Sequence, residues 1–198
     1  MKIEEYILDE NFEQNAQQTL KNFEQASSRL TYFEEAIKSK QRGVDIHYYK
    51  AYYDYIKADD EHMKTFLHFI KICYDNCKMG KNMMFISKSK VEYFGDIQKR
   101  TEAAFDKYYK YYTKLSDMTK KLNEEIKKYN PEDIKKNWFV QFKLQVFVMA
   151  VDESHASLAN EIEAYRNNEI LPILKECDDL FNFDDDKEVK VDVPQYLN

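Results

Sequence analysis

Two short motifs in this chain each place a carboxylate and an imidazole three residues apart: Asp59-x-x-His62 and Asp152-x-x-His155. Residues at this spacing share one face of a helix, and paired carboxylate–histidine motifs on two helices of a bundle hold the metals of di-iron carboxylate proteins. Such sites also take a glutamate from each of two further helices. The candidates follow no spacing that singles one out: Glu24, Glu34 and Glu102. Aspartate is also shorter than glutamate, so we expect hydrogen-bonded Asp–His pairs and no metal centre.

The cysteines offer a second possible metal site. Cys73 and Cys77 lie one helical turn apart, and Cys177 follows much later in the chain. Two thiolates without a third and fourth ligand nearby make a poor zinc site. Three cysteines also give no disulfide framework, which fits a reducing compartment. The sequence therefore predicts buried core thiols.

Catalytic motifs are missing from the sequence. It has no Gly-rich phosphate loop, nucleophile elbow or zinc-ligand quartet, and three glycines could hardly build one. Tyrosines interleaved with lysine at 48–55 and 108–112 could stack on nucleic-acid bases. Their helical spacing places half of them in a core, however. We expect neither an enzyme, nor a cofactor, nor a nucleic-acid partner.

Positive charge gathers in the middle of the chain. The formal net charge is -6, yet residues 81–143 carry an excess of six positive charges and residues 144–198 an excess of nine negative charges. Charge segregated in this way can attract an anionic partner despite an acidic total. Five cations recur at intervals of seven and form one slowly turning helical stripe, because a helix drifts only about 20° per heptad: Arg100, Lys107, Lys114, Lys121 and Lys128. Further cations that could bind an anionic partner lie beside this stripe or around the turn near residue 130: Lys110, Lys120, Lys127, Lys135 and Lys136.

The elements that carry these residues are long helices, since 3 Gly and 3 Pro leave few places for a helix to stop. Apolar residues at alternating spacings of three and four predict a helix over 82–128: Phe94, Ile97, Thr101, Ala104, Tyr108, Tyr111, Leu115, Met118, Leu122 and Tyr129. A similar pattern predicts a helix from residue 9 to about 41, a break or kink at 41–43, and a continuation to about 78 with a stop at Gly80. Asn130-Pro131 marks the start of the last helix, expected to reach about residue 181 with an interruption or kink at Pro172.

The fold class that follows is all-α, an elongated antiparallel bundle of three long, kinked helices over residues 1–182, with an acidic non-helical tail or linker at 183–198. The segment 138–151 is apolar on almost every side of its helix, which predicts burial on all sides or cover by another chain. We expect a homodimer through this segment, formed by Trp138, Phe139, Phe142, Leu144, Val146, Phe147 and Val151. The alternative is a buried central helix in a compact monomeric bundle.

Three segments of the chain are similar to the BAR domain family, in particular the BAR domains that precede PH and GTPase-activating modules. They read FEQNAQQTLKNFEQASSRLTYFEEAIKSK near the N-terminus, FGDIQKRTEAAFDKYYKYYTKL in mid-chain and FVQFKLQVFVMAVDESHASLANEIEAY in the last helix. The resemblance covers about residues 5–182. It implies a crescent-shaped homodimer that senses or shapes curvature, with its concave face and its tips, at the turn before the last helix, on anionic membrane.

The expected function is therefore peripheral and electrostatic binding to anionic lipid, phosphatidylserine or phosphoinositides, by the ten cations named above. No apolar run reaches the ~20 residues that a spanning helix needs, and the acidic N-terminus has no signal-peptide core, so a cytoplasmic protein is expected. The alternative is a helical coiled-coil adaptor that binds protein partners through its acidic C-terminal region without touching lipid.

Overall fold

A computed structural model describes residues 1–9, 11–41, 44–83 and 86–181, and every regular element in these ranges is helical. After a single 3₁₀ turn at Ile3–Glu5, the chain forms α1 (Phe12–Lys38), α2 (Ile46–Lys81), α3 (Lys88–Lys127), α4 (Pro131–Lys136), α5 (Trp138–Tyr165), a π-helical turn (Arg166–Ile170) and α6 (Leu171–Phe181). The predicted all-α class is confirmed. The predicted tail at 183–198 lies outside the described residues.

Four of these helices pack as an antiparallel bundle. The hydroxyls of Thr19 on α1 and Thr65 on α2 lie 3.1 Å apart, and α3 runs antiparallel to α2 with Phe66 against Tyr108. Helix α5 returns antiparallel to α3, where Tyr111 meets Tyr165. At 1.5 Å per residue the 40 residues of α3 span about 60 Å, so the bundle is elongated.

The chain reverses between α1 and α2. Phe23 of α1 stacks on Tyr55 of α2 at 5.5 Å, and Arg29 pairs with Asp54 at 3.3 Å. The break or kink expected at 41–43 is therefore a break, although Arg42 and Gly43 themselves are outside the described part of the chain. The first of the three predicted long helices is two helices folded against each other.

The core follows the apolar pattern read from α3. All but three members of that pattern are buried, and Tyr111, Met118 and Tyr129 are half-buried. Facing them from α2 are fully buried aromatic and aliphatic side chains, among them Tyr52 and Leu67. The heptad pattern of α3 is thus confirmed as a packing edge, and its alternating spacing keeps that edge against α2 along the bundle.

Helix α2 ends one residue after the predicted stop, and Gly80 is not its cap. The helix continues to Lys81, and Gly80 has no left-handed backbone. Gly80 lets α2 and α3 approach each other closely, because a Cβ atom at this position would lie 2.7 Å from the ring of Phe94 on α3. The next helix also begins later than residue 82, at Lys88, where Ser87 Oγ accepts the Lys90 amide N–H at 3.4 Å.

Replacing Gly80 by alanine should lower the free energy of unfolding by about 1–3 kcal/mol, because the new methyl group forces the Phe94 ring out of its place. The matched control is Gly95→Ala on α3, where a Cβ atom meets nothing within 4 Å. That change should be neutral or stabilise by up to about 1 kcal/mol, since alanine favours helix. Urea unfolding of the two variants measures both effects, and equal stabilities would contradict the packing role of Gly80.

The last predicted helix is divided twice. Asn130 caps α4 as expected, with its Oδ1 accepting the Glu132 amide N–H at 3.0 Å. Asn137 then ends α4 and caps α5 by accepting the amides of Phe139 and Val140 at 3.1 and 3.4 Å. The interruption expected at Pro172 takes the form of the π-helical turn just before it. Proline has no N–H and crowds the carbonyl four residues back, and the wider turn relieves both problems.

Candidate functional site

Helix α5 carries an exposed apolar strip on the side that faces away from the bundle. Five large side chains at spacings of one, three, four and three residues form it, and we call them the α5 strip: Trp138 (74% exposed), Phe139 (49%), Phe142 (56%), Val146 (51%) and Met149 (57%). From end to end it covers about 16 Å of helix. Large contiguous apolar patches on a protein surface mark contact with a partner or a membrane.

The opposite side of α5 supplies the core, through Leu144, Val148 and Leu158. This helix is apolar on both sides, as predicted, and one side is uncovered in the single chain. Of the predicted dimer residues, Leu144 is fully buried in the chain's own core, and Phe147 and Val151 are half-buried against it. The other four, at positions 138, 139, 142 and 146, are exposed. The homodimer itself stays a prediction.

Lysines rim the beginning of the strip. Residues 134–151 include Lys135, Lys136 and Lys143 and no acidic residue. Lys143 Nζ lies 4.6 Å from the centre of the Phe139 ring. Buried Ile134 anchors α4, and Lys135 and Lys136 beside it are exposed. This corner of the bundle therefore joins exposed aromatic rings to a local excess of positive charge.

The C-terminal part of α3 adds cations at the same end of the bundle. Together with those on α4 and α5 they form what we call the lysine-rich end: Lys120, Lys121, Lys127, Lys128, Lys135, Lys136 and Lys143. Three of them pair with acids of their own helix at 3.8, 2.6 and 3.1 Å: Lys120 with Asp117, Lys128 with Glu125 and Lys136 with Glu132. Such exposed pairs contribute only about 0–1 kcal/mol, so a phosphate group can replace the acid. Lys121, Lys127 and Lys135 form no ion pair with the side chains that the structure describes.

The other members of the predicted lipid-binding set make contacts within the chain or lie away from this end. Arg100 donates to both carboxylate oxygens of Glu176 on α6 at 2.7 and 2.9 Å, which lowers the pKa of Glu176. Lys107 lies 4.1 Å from the ring of Tyr165. Lys114 shares with Lys121 a groove between α3 and α5 in which acidic side chains also lie, but Lys114 is two helical turns farther from the end of α3, and exposed Lys110 is midway along α3. The stripe thus contributes to the lysine-rich end only with Lys121 and Lys128.

Of the expected Asp–His pairs within the two motifs, the described side chains form neither; one Asp–His hydrogen bond joins the first motif to the second, across two helices. His155 Nε2 lies 2.8 Å from Asp59 Oδ2, both largely buried, and Asp152 accepts from the Tyr52 hydroxyl at 3.1 Å. His62 stacks on Phe23. Within the described ranges, the one set of three or more metal-ligating side chains that converge lies elsewhere, at the three cysteines.

Asp60 on α2 is a buried carboxyl group whose Oδ1 has no hydrogen-bond partner among the described atoms. Burial raises its pKa from 3.8 to about 6. Between pH 3.8 and about pH 6, the Asp60 carboxyl group therefore stays protonated in the folded protein but loses its proton in the unfolded chain. The contribution of Asp60 to stability is largest below the lower value and falls as the pH rises to the upper one.

Asp60→Asn should therefore raise the free energy of unfolding by about 1–2 kcal/mol at pH 7.5, with a smaller gain at pH 5. The reason is that asparagine fills the same space without a buried charge. Denaturant unfolding at the two pH values measures the change. A gain that is larger at pH 5 than at pH 7.5 would show that folding does not raise the pKa of Asp60.

No helix in the described part of the chain is long and apolar enough to cross a membrane. Comparison with models of protein families, with curated proteins and with solved structures found no significant match to this chain.

Proposed function

We propose that this protein is a peripheral membrane-binding module that docks on anionic lipid with its lysine-rich end. The observation that carries the proposal is the corner where α4 meets α5. There Trp138, Phe139 and Phe142 are exposed, and every charged residue between positions 134 and 151 is a lysine. In the docked state the three rings lie among the lipid headgroups and the lysines contact phosphate.

The residue types suit this boundary. Tryptophan and other aromatic rings favour the membrane–water interface, where an apolar body meets a polar layer. Lysine can lay its aliphatic stem along an apolar surface while its ammonium group reaches phosphate. An acidic protein can bind in this way because salt at physiological concentration limits the range of each charge's electrostatic interaction to about 8 Å. The acidic residues beyond residue 151 therefore act only weakly at this corner.

The expected strength is moderate. Each lysine near an anionic leaflet contributes roughly 1 kcal/mol, and the apolar rings add to this. The neighbouring acids Asp117, Glu125 and Glu132 offset part of the gain. Binding should therefore be reversible, and it should need both the charge and the rings.

Co-sedimentation with vesicles tests the proposal. The protein should pellet with phosphatidylserine-containing vesicles at low salt, should stay in solution with pure phosphatidylcholine, and should be released as salt rises, because the ionic contribution is screened. If the protein stays in solution with the phosphatidylserine vesicles at low salt, the proposal is wrong.

A second candidate is self-association, favoured by the part of the α5 strip that lies away from the lysines. Val146 and Met149 are exposed, and Met149 also lines an open groove between α1 and α5, with Ile37 and Val44. A homodimer of the crescent kind implied by the BAR resemblance, and the curvature sensing that goes with it, would use this surface. Sedimentation equilibrium tests self-association. A dimer at micromolar concentration would support this second candidate, and a monomer would contradict it. A monomer that also fails to bind vesicles would favour the adaptor alternative.

A further inference from the structure

Three thiols converge at the end of the bundle opposite the lysine-rich end. Cys73 and Cys77 come from successive turns of α2, and Cys177 comes from α6. All three are buried, and their sulfur atoms lie within 4.8 Å of one another. The sulfur atoms of Cys77 and Cys177 are 3.9 Å apart. The fold has thus brought the third ligand to the pair on α2.

This spacing suits one ion held by three sulfurs. With bonds of about 2.3 Å, sulfurs around a shared centre lie about 3.3 Å apart if the centre is pyramidal and about 4.0 Å apart if it is planar, so each sulfur here needs to move by about 1 Å or less. A disulfide bond needs a sulfur separation of about 2 Å and would leave one thiol unused. The arrangement fits a shared ion better than a bond between two of its members.

The charge balance selects the ion. The cysteines are buried, and the nearby cation Arg100 is already held by Glu176. A net charge left in this position would cost several kcal/mol. Three thiolates around a divalent or monovalent ion leave a negative complex, whereas three thiolates around a trivalent ion leave none.

We propose that Cys73, Cys77 and Cys177 form a binding site for a trivalent thiophilic ion, of which arsenic(III) is the type. Arsenous acid, As(OH)₃, exchanges its three hydroxyl groups for the three sulfurs. Each thiol proton leaves with one hydroxyl as water, so that three As–S bonds form, three waters are released and no oxidant is needed. The product is neutral and buried.

Two features of the site support this exchange. The thiol of Cys177 donates to the backbone carbonyl oxygen of Cys73 at 3.8 Å, so the side chain from α6 already lies against the pair on α2. The third ligand stands on α6, a helix of only 11 residues that follows the π-helical turn. Local opening of α6 gives access, and the bound ion then fastens α6 to α2.

The test uses the full chain, reduced, with sodium arsenite under anaerobic conditions. We expect one arsenic per chain by native mass spectrometry, with a mass gain of one arsenic less three hydrogens, and a rise in the melting temperature because the ion binds only the folded trio. Arsenic X-ray absorption on the same sample should show three sulfur neighbours. Fewer than three sulfur neighbours, or no mass gain, overturns the proposal without any variant.

Cys177→Ala is the variant that removes the third ligand, and it should weaken arsenite binding about 100-fold or more and abolish the rise in melting temperature. The matched control is Thr101→Val, whose hydroxyl lies 3.5 Å from Cys73 Sγ and supplies no sulfur. It should bind arsenite as the native chain does. Arsenite affinity that is the same in Cys177→Ala and the native chain would assign the ion to two thiols and contradict the proposal.

Discussion

Reversing four charges at the lysine-rich end, by Lys127→Glu, Lys135→Glu, Lys136→Glu and Lys143→Glu together, is expected to lower the affinity for phosphatidylserine vesicles by about a thousand-fold. Each lysine near the leaflet contributes roughly 1 kcal/mol, and about 1.4 kcal/mol corresponds to a factor of ten. All four side chains are exposed, so the fold should be unchanged. Vesicle co-sedimentation at low salt measures the loss, and circular dichroism checks the fold.

The matched control reverses four exposed lysines at the opposite end: Lys78, Lys81, Lys88 and Lys99. This variant has the same formal net charge as the first but keeps the lysine-rich end intact. It should bind vesicles within a few-fold of the native chain. If both variants lose binding equally, the total charge governs the interaction, and the assigned end does not.

Removing the three aromatic rings, by Trp138→Ser, Phe139→Ser and Phe142→Ser, is expected to weaken binding to the same vesicles by about 100-fold or more. Each ring contributes about 1–2 kcal/mol to the binding free energy because docking removes its apolar surface from water, and serine cannot replace this contribution. Because the three rings are between 49% and 74% exposed in the free protein, stability should change little. Vesicle binding and thermal unfolding, measured side by side, separate the two effects.

The control for this variant removes exposed apolar side chains elsewhere, by Leu20→Ser, Tyr32→Ser and Leu171→Ser. Its vesicle affinity should equal that of the native chain. A ring-free variant that still pellets like the native chain would show that the lysines bind alone. A lower melting temperature for the ring-free variant would place those rings in a packed surface instead of a free one.

The local features of the fold could be read from the sequence. The heptad spacing predicted that Phe94, Ile97 and Leu122 lie in the core, and Asn130-Pro131 predicted a helix start. Both predictions were possible because each pattern involves residues within a few positions of one another. The apolar character of α5 on both of its sides was also visible. Each of these signals is a property of one helix considered alone.

Contacts between distant parts of the chain could not be read in the same way. Arg100 belongs to the cationic stripe by spacing, yet its partner Glu176 is 76 residues later and reaches it only in the folded bundle. The pair of Asp59 with His155 and the approach of Cys177 to the α2 thiols depend on packing in the same manner. Gly80 looked like a helix end because a glycine required by a close neighbour resembles one required by a turn.

Fluorescence of Trp138 tests the proposed function most directly, since it is the chain's only tryptophan and 74% exposed. In dilute protein the emission should be that of a solvated indole and should not depend on concentration. On addition of phosphatidylserine vesicles it should shift to shorter wavelength and be quenched by brominated acyl chains, and salt should reverse both changes. Emission unaffected by these vesicles, or already shifted and concentration-dependent without lipid, would contradict docking through the α4–α5 corner.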